Sequence, residues 1–146
     1  MKIGIACDHG GLSLKGSIKA VLASANDVID FGVDSEASVD YPDCAAPALK
    51  ALKAGEVDRL VLICGTGIGM SIAANRVSGV RATLVHDAYT ARMSREHNDS
   101  NCLVLGARTT GVAVAEEIAA IWLETAFAGG RHQQRLDKAD QLAAKI

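Results

Sequence analysis

The chain has 146 residues, 49% of them apolar but only 3% aromatic, so its core must be built from Val, Ile, Leu and Ala. That length fits one domain of ordinary size. Its 15 basic and 17 acidic residues are interspersed and sum to −2, which gives no long-range field for nucleic acid or a membrane surface. Asp8 interrupts the N-terminal apolar run too early for a signal-peptide core, and no run reaches membrane-spanning length. The cysteines, Cys7, Cys44, Cys64 and Cys102, show no CxxC spacing, which speaks against zinc or an iron–sulfur cluster. Reduced thiols in a cytoplasmic protein are expected.

In chain order, Lys2–Cys7 reads as a buried strand and Leu12–Ala25 as a helix with Leu14, Ile18, Val21 and Leu22 on one face. Val28–Phe31 is a short second strand. A polar loop leads to Pro42–Ala54, a helix with proline in its first turn. Leu60–Cys64 is the third strand, followed by a helix from about Gly69 to Arg76. Val80–Val85 is the fourth strand and Ala88–Glu96 a helix. Cys102–Leu105 is the fifth strand and Thr110–Phe127 a long helix. Gly129-Gly130 breaks the chain before a polar helix from Arg131 to the end.

Strands this apolar, separated by helices, predict a parallel sheet covered on both faces. The fold class is α/β: a three-layer α/β/α, doubly wound, Rossmann-like arrangement of five strands in a single domain, 1–146. Residues 131–146 would form a C-terminal helical arm. Ligands of such folds sit beyond the C-terminal ends of the strands. Those ends carry Cys7-Asp8-His9, Cys64-Gly65-Thr66, His86-Asp87 and Gly106-Ala107-Arg108.

The segment "LVLICGTGIGMSIAANR" sets Cys64 at the mouth of a glycine-rich turn. Glycines after a strand let backbone N–H groups converge on negative charge. "GTGIG" is not a phosphate loop, since no lysine follows Gly69, and it is G-x-G-x-G rather than G-x-G-x-x-G. Asp87, beyond the next strand, keeps a dinucleotide site open as an alternative. A cysteine facing such amides has its thiolate stabilised and can act as base or nucleophile. Cys64 can equally be the last small apolar residue of a buried strand. Spacing alone leaves these two readings level.

Asp8 and His9, straight after the first strand, do not read as core, and adjoining glycines turn them toward the same crevice. His97 and Asn98 lie in "REHND" before the fifth strand; alone, His97 reads as a surface or capping histidine, and beside Asp8, His9 and Cys64 as a catalyst. Arg131 and Arg135 stand four apart in "GGRHQQR", where they form either a phosphate clamp or a solvated basic patch.

Together these residues resemble the ribose-5-phosphate isomerase B family, which includes the galactose-6-phosphate isomerase subunits. The matching stretches are "CDHGG", "DYPDCA", "ICGTGIGMSIAAN", "REHNDSN", "LGAR" and "GGRHQQR", spread from Cys7 to Arg135 over nearly the whole chain. The resemblance implies a cofactor-free, metal-free aldose–ketose isomerase of ribose 5-phosphate or a related tetrose or hexose phosphate. It implies sheet order 2-1-3-5-4 and a homodimer, or dimer of dimers, with active sites shared between subunits.

In that family Cys64 would be the base that moves a proton between C1 and C2. The amides of Gly65, Thr66, Gly67, Ile68 and Gly69 would be the anion hole for the enediolate. Thr66 would relay a proton, and His97, assisted by Asp8, would open the furanose ring. His9, Arg131 and Arg135 would hold the phosphate, with Arg108 and Asn98 as further contacts. Some relatives have serine in place of cysteine and a glutamate at the position of Met70; this chain, with Cys64 and Met70, is of the cysteine type. Tyr41 and Asp43 border the sugar in this reading without a firm role, and His86 and Asp87 vary with substrate class. A non-catalytic sugar-phosphate or nucleotide-binding module is the rival from another class.

Overall fold

A computed structural model describes residues 1–142 and contains one five-stranded parallel sheet of order β2-β1-β3-β5-β4. The strands are β1 Lys2–Cys7, β2 Asp27–Asp30, β3 Arg59–Cys64, β4 Ala82–Leu84 and β5 Cys102–Gly106. The helices are α1 Leu12–Ala23, α2 Tyr41–Lys53, α3 Ile68–Ala74, α4 Ala88–Glu96, α5 Val112–Glu124 and α6 Arg131–Asp140. The α/β class, the five parallel strands and their order agree with the expectations above.

Apolar residues alternate between the two faces of the central strands. Ile3, Ile5, Val61, Ile63, Leu103 and Leu105 pack with Leu14, Ile18, Leu22, Ile118 and Trp122 of α1 and α5. Ala6, Leu60, Leu62 and Val104 pack with Ala45, Ala48, Leu49, Met70 and Ala74 of α2 and α3. Covered on both sides, β1, β3 and β5 need unbroken apolar sequence. In register, Cys7 pairs with Ile63 and Cys64 with Gly106, so the polar ends of these three strands finish nearly level.

The differences from the sequence reading have local causes. β4 is shorter than Val80–Val85 because it pairs only with β5 at the sheet edge. β2, the other edge, runs one residue earlier at each end than Val28–Phe31 and is only half-buried. α5 ends at Glu124 rather than Phe127, since Thr125 is already extended at φ −76° and ψ 123°. On α1 the inward face includes Lys15, which the apolar pattern conceals, while Val21 is only partly buried. Lys15 Nζ donates to Val33 O and Asp34 Oδ1, both at 2.7 Å, and pairs with Asp30 at 3.3 Å. This ties the loop after β2 to α1. The last four residues of the expected C-terminal arm, 143–146, lie outside the described residues. No helix among the described residues is long and apolar enough to cross a membrane.

Candidate active site

At the ends of β1, β3 and β5, a cleft of about 280 Å³ is lined by Asp8, His9, Gly10, Tyr41, Cys64, Gly65, Thr66, Gly69 and Arg108. Asp8 follows β1 and is buried; its Oδ1 accepts the Gly11 N–H at 3.0 Å and caps the short turn His9–Gly11. Its carboxylate therefore has a structural duty as well as a place in the cleft. The next side chain, His9, accepts the Val39 N–H on Nδ1 at 3.3 Å. In neutral His9 the proton is thereby assigned to Nε2, which becomes a donor.

Cys64 ends β3, and its Sγ accepts the Gly67 N–H at 3.1 Å. Gly67 has φ 79°, and a Cβ there would meet Leu84 and, at 3.2 Å, the Leu105 carbonyl. Only glycine takes that conformation in that space, so the turn that gives the sulfur its donor depends on Gly67. Of the expected anion-hole amides, Gly67 is thus engaged with the sulfur, and the Ile68 N–H reaches Thr66 Oγ1 at 3.4 Å. The turn is braced from β5: the Ala107 N–H donates to Cys64 O and the Arg108 N–H to Gly65 O, both at 2.9 Å. The exposed Arg108 side chain lies over Gly65, where a Cβ would stand 3.4 Å from its guanidinium carbon.

The remaining thiols differ from Cys64. Burial pushes Cys7 up to about 11, raises Cys44, and raises the fully buried Cys102 further still. All three are held protonated, and none lines the cleft. Among the described residues, no group of three or more His, Cys, Asp or Glu is placed to hold a metal ion.

His97, Asn98, Arg131 and Arg135 do not line this cleft. α4 starts at the strand-end edge and runs back, so that His97, its C-cap, lies toward the edge where strands begin. There the Asn101 carbonyl accepts the Leu60 N–H, and Ala128 N–H donates to Glu96 O at 3.0 Å, bringing the start of α6 alongside. Asn98 lines a separate cleft with Asn75, Arg81, Leu136 and Asp140. Arg131 and Arg135 are exposed on one side of α6. The sequence-derived site residues thus fall into two groups, one at each edge of the sheet.

The sequence profile of the Ribose/Galactose Isomerase family matches residues 3–139. The chain belongs to that family. Ribose-5-phosphate isomerase B of Escherichia coli is 46% identical to it over 137 residues, covering 93% of this chain and 92% of that protein. The solved ribose-5-phosphate isomerase B of Clostridium thermocellum superposes with a TM-score of 0.95 at 50% identity, over 99% of both chains. That of Mycoplasma genitalium, with bound ribulose 5-phosphate, gives 0.90 at 38% identity, over 99% of this chain and 97% of that one.

Two pairings in this family member escape sequence reading, although Tyr41 itself was expected to border the sugar. The Tyr41 ring packs so closely on α3 that a Cβ at Gly69 would stand 2.8 Å from it, which places Tyr41 in the cleft wall. His132, between the two arginines, stacks on His97 with ring centroids 4.2 Å apart. Neither pairing leaves a local signal, because both partners are distant in sequence. Asp87, which kept a dinucleotide site open above, caps α4: its Oδ1 accepts the Thr90 N–H at 2.8 Å and its Oδ2 the Thr90 hydroxyl at 3.0 Å. Those two bonds hold its carboxyl below the ordinary aspartate value.

Proposed function

We propose that this chain interconverts ribose 5-phosphate and ribulose 5-phosphate without a cofactor, through an enediolate formed by Cys64. The observation that carries the reading is the Cys64 sulfur, held by the Gly67 N–H in a cleft shared with Asp8, His9, Thr66 and Arg108. A thiolate at that point takes the C2 proton of the open-chain aldose and returns it to C1. Thr66 moves the proton between the two oxygens. The Gly65–Gly69 turn meets the enediolate charge, its Gly67 N–H through the sulfur it already holds and its Ile68 N–H on release from Thr66 Oγ1. His97 protonates the furanose ring oxygen, assisted by Asp8. His9, Arg131 and Arg135 hold the phosphate, with Asn98 and Arg108 as further contacts.

The separation of the two groups supports a homodimer with shared sites. β3 has six residues, which at roughly 3.3 Å each keeps its two ends on the order of 17 Å apart. A cleft at one end is completed by His97, Asn98, Arg131 and Arg135 of a second copy. In this reading α6 is the arm that delivers the arginines, and the enzyme works in the cytoplasm. The family, which covers ribose and galactose isomerases, supports galactose 6-phosphate as an alternative substrate; allose 6-phosphate and erythrose 4-phosphate are further alternatives in this reading.

A coupled assay with these sugar phosphates tests the proposal. The highest kcat/KM is expected for ribose 5-phosphate, and a folded protein inactive on all of them would overturn the assignment. Stabilisation by NAD but by no sugar phosphate in a thermal-shift panel would favour a dinucleotide module instead.

A further inference from the structure

His132 lies in the first turn of α6 with its imidazole face to face with His97, the ring centroids 4.2 Å apart and the planes 8° from parallel. It is only 8% exposed, whereas its neighbours Arg131, Gln133 and Arg135 are exposed. Leu136, one turn on, is buried in the same way, so these two side chains form the inner face of α6. Gly129 and Gly130, at φ 63° and 56°, reverse the chain just before it, and the Ala128–Glu96 bond sets the turn against the end of α4. The charged and titratable groups that act on the ring are His97 and Glu96 at the end of α4, and Arg131 and Arg135 on its own helix. Burial first, then His97 and the two arginines, push its pKa below the ordinary histidine value, against the opposing effect of Glu96.

We infer that His132 is a positioning residue, a flat platform that fixes the plane and rotamer of His97 and joins the ring-opening acid to the phosphate-binding helix as one rigid unit. This rests on the reading of His97 as the group that opens the furanose ring. A general acid must stand within hydrogen-bond reach of the ring oxygen, and among the described residues His132 is the aromatic ring that stacks on the half-buried His97 at the end of α4. Proton abstraction by Cys64 can be read apart from this step, because enolisation of an open-chain sugar needs no ring opening. Ribulose 5-phosphate is such a sugar, since its C5 oxygen is esterified and cannot close on C2.

The test compares two rates in the full-length protein. Net conversion of ribose 5-phosphate requires ring opening, whereas deuterium wash-in at C1 of ribulose 5-phosphate in D2O requires only enolisation. His132→Ala is expected to slow the first by about tenfold or more, as misplacement of a catalytic group does. Wash-in should change by less than about twofold, and inhibition by inorganic phosphate should be preserved. His132→Phe, which keeps a flat ring, should recover most of the net rate. Loss of both rates in parallel, no loss of the net rate, or failure of phenylalanine to rescue would each overturn the inference. Wild-type protein inactive in both assays overturns the isomerase reading and this inference together; active wild type with a parallel loss in His132→Ala overturns this inference alone.

Discussion

What separates Cys64 from the other thiols is its hydrogen-bond donor and its opening to the cleft. Burial alone favours the neutral thiol, as at Cys7, Cys44 and Cys102. At Cys64 the Gly67 N–H donates to the sulfur at 3.1 Å. Replacing Cys64 by alanine should cut turnover by about 10²–10⁴-fold, the usual contribution of a positioned base. The urea midpoint should barely move, because only a small side chain is lost. Iodoacetamide should modify this thiol first, and ribose 5-phosphate should slow the reaction; peptide mapping by mass spectrometry reads both. Turnover near that of the wild type would remove Cys64 from the mechanism. At the other end of the sugar, each charge-assisted bond from Arg135 to a phosphate is worth about 1.5–3 kcal/mol. Arg135→Ala should lower kcat/KM by about ten- to a hundredfold for the phosphorylated sugar and hardly at all for free ribose. If the preference for the phosphate over the free sugar stays the same, α6 carries only a solvated basic face.

Among the elements, the loop between β2 and α2 shows how a buried charge organises a site it does not touch. Lys15 pins Val33 and Asp34 at one end of the loop, and the Val39 N–H meets His9 at the other. Burial would lower the Lys15 pKa, but its bonds to Asp34 and Asp30 outweigh this and raise it. For Asp30, burial would raise the pKa, but Lys19, the Gly32 N–H and Lys15 outweigh this and lower it. The Asp30 contribution to stability is therefore complete above the ordinary value of 3.8 and lost as pH falls through the lower folded value. The Lys15 contribution is complete below 10.5 and lost as pH rises through the higher folded value. Lys15→Met should cost about 1–3 kcal/mol at neutral pH, the range for a buried group left unpaired. It should also reduce the alkaline loss, of which the raised thiols of Cys7, Cys44 and Cys102 keep their share, and reduce the acid loss, because Lys19 and Gly32 still hold Asp30. Thermal melts across pH settle this, and an unchanged alkaline limb would mean that the clamp is not the titrating unit.

The same elements mark how far the sequence could be read. Strand ends were legible at β1, β3 and β5 because each apolar run stops abruptly at Asp8, Gly65 or Gly106-Ala107-Arg108. The helix after Gly111 was overextended because Ala126, Phe127 and Ala128 continue the apolar composition past Thr125, where the backbone turns extended. Lys15 and His132 were illegible for another reason. A buried lysine depends on acids contributed by another element, and a stacked histidine on a second ring brought up by the turn at Gly129-Gly130. Periodicity registers only a residue's own polarity, so both resemble surface positions.

For the whole molecule, the question is whether one chain can hold a complete site. Cys64 stands where strands end, and His97 lies toward the edge where they begin, with the sheet between them. If each cleft borrows His97 from a partner, a Cys64→Ala subunit and a His97→Ala subunit fail for different reasons and can complement each other. In their heterodimer, one site carries both substitutions and the other carries neither. Random pairing makes half of the dimers mixed, each with one intact site in two, so activity should return to about a quarter of the wild-type value per subunit. Co-expression with two affinity tags isolates the mixed dimer, in which about half of the wild-type activity is expected. If each chain supplied both groups to its own site, every site in the mixed dimer would be defective and no activity would return. Size-exclusion chromatography of the unmodified protein gives the companion result, since shared sites require the active species to elute above the 15.2 kDa monomer.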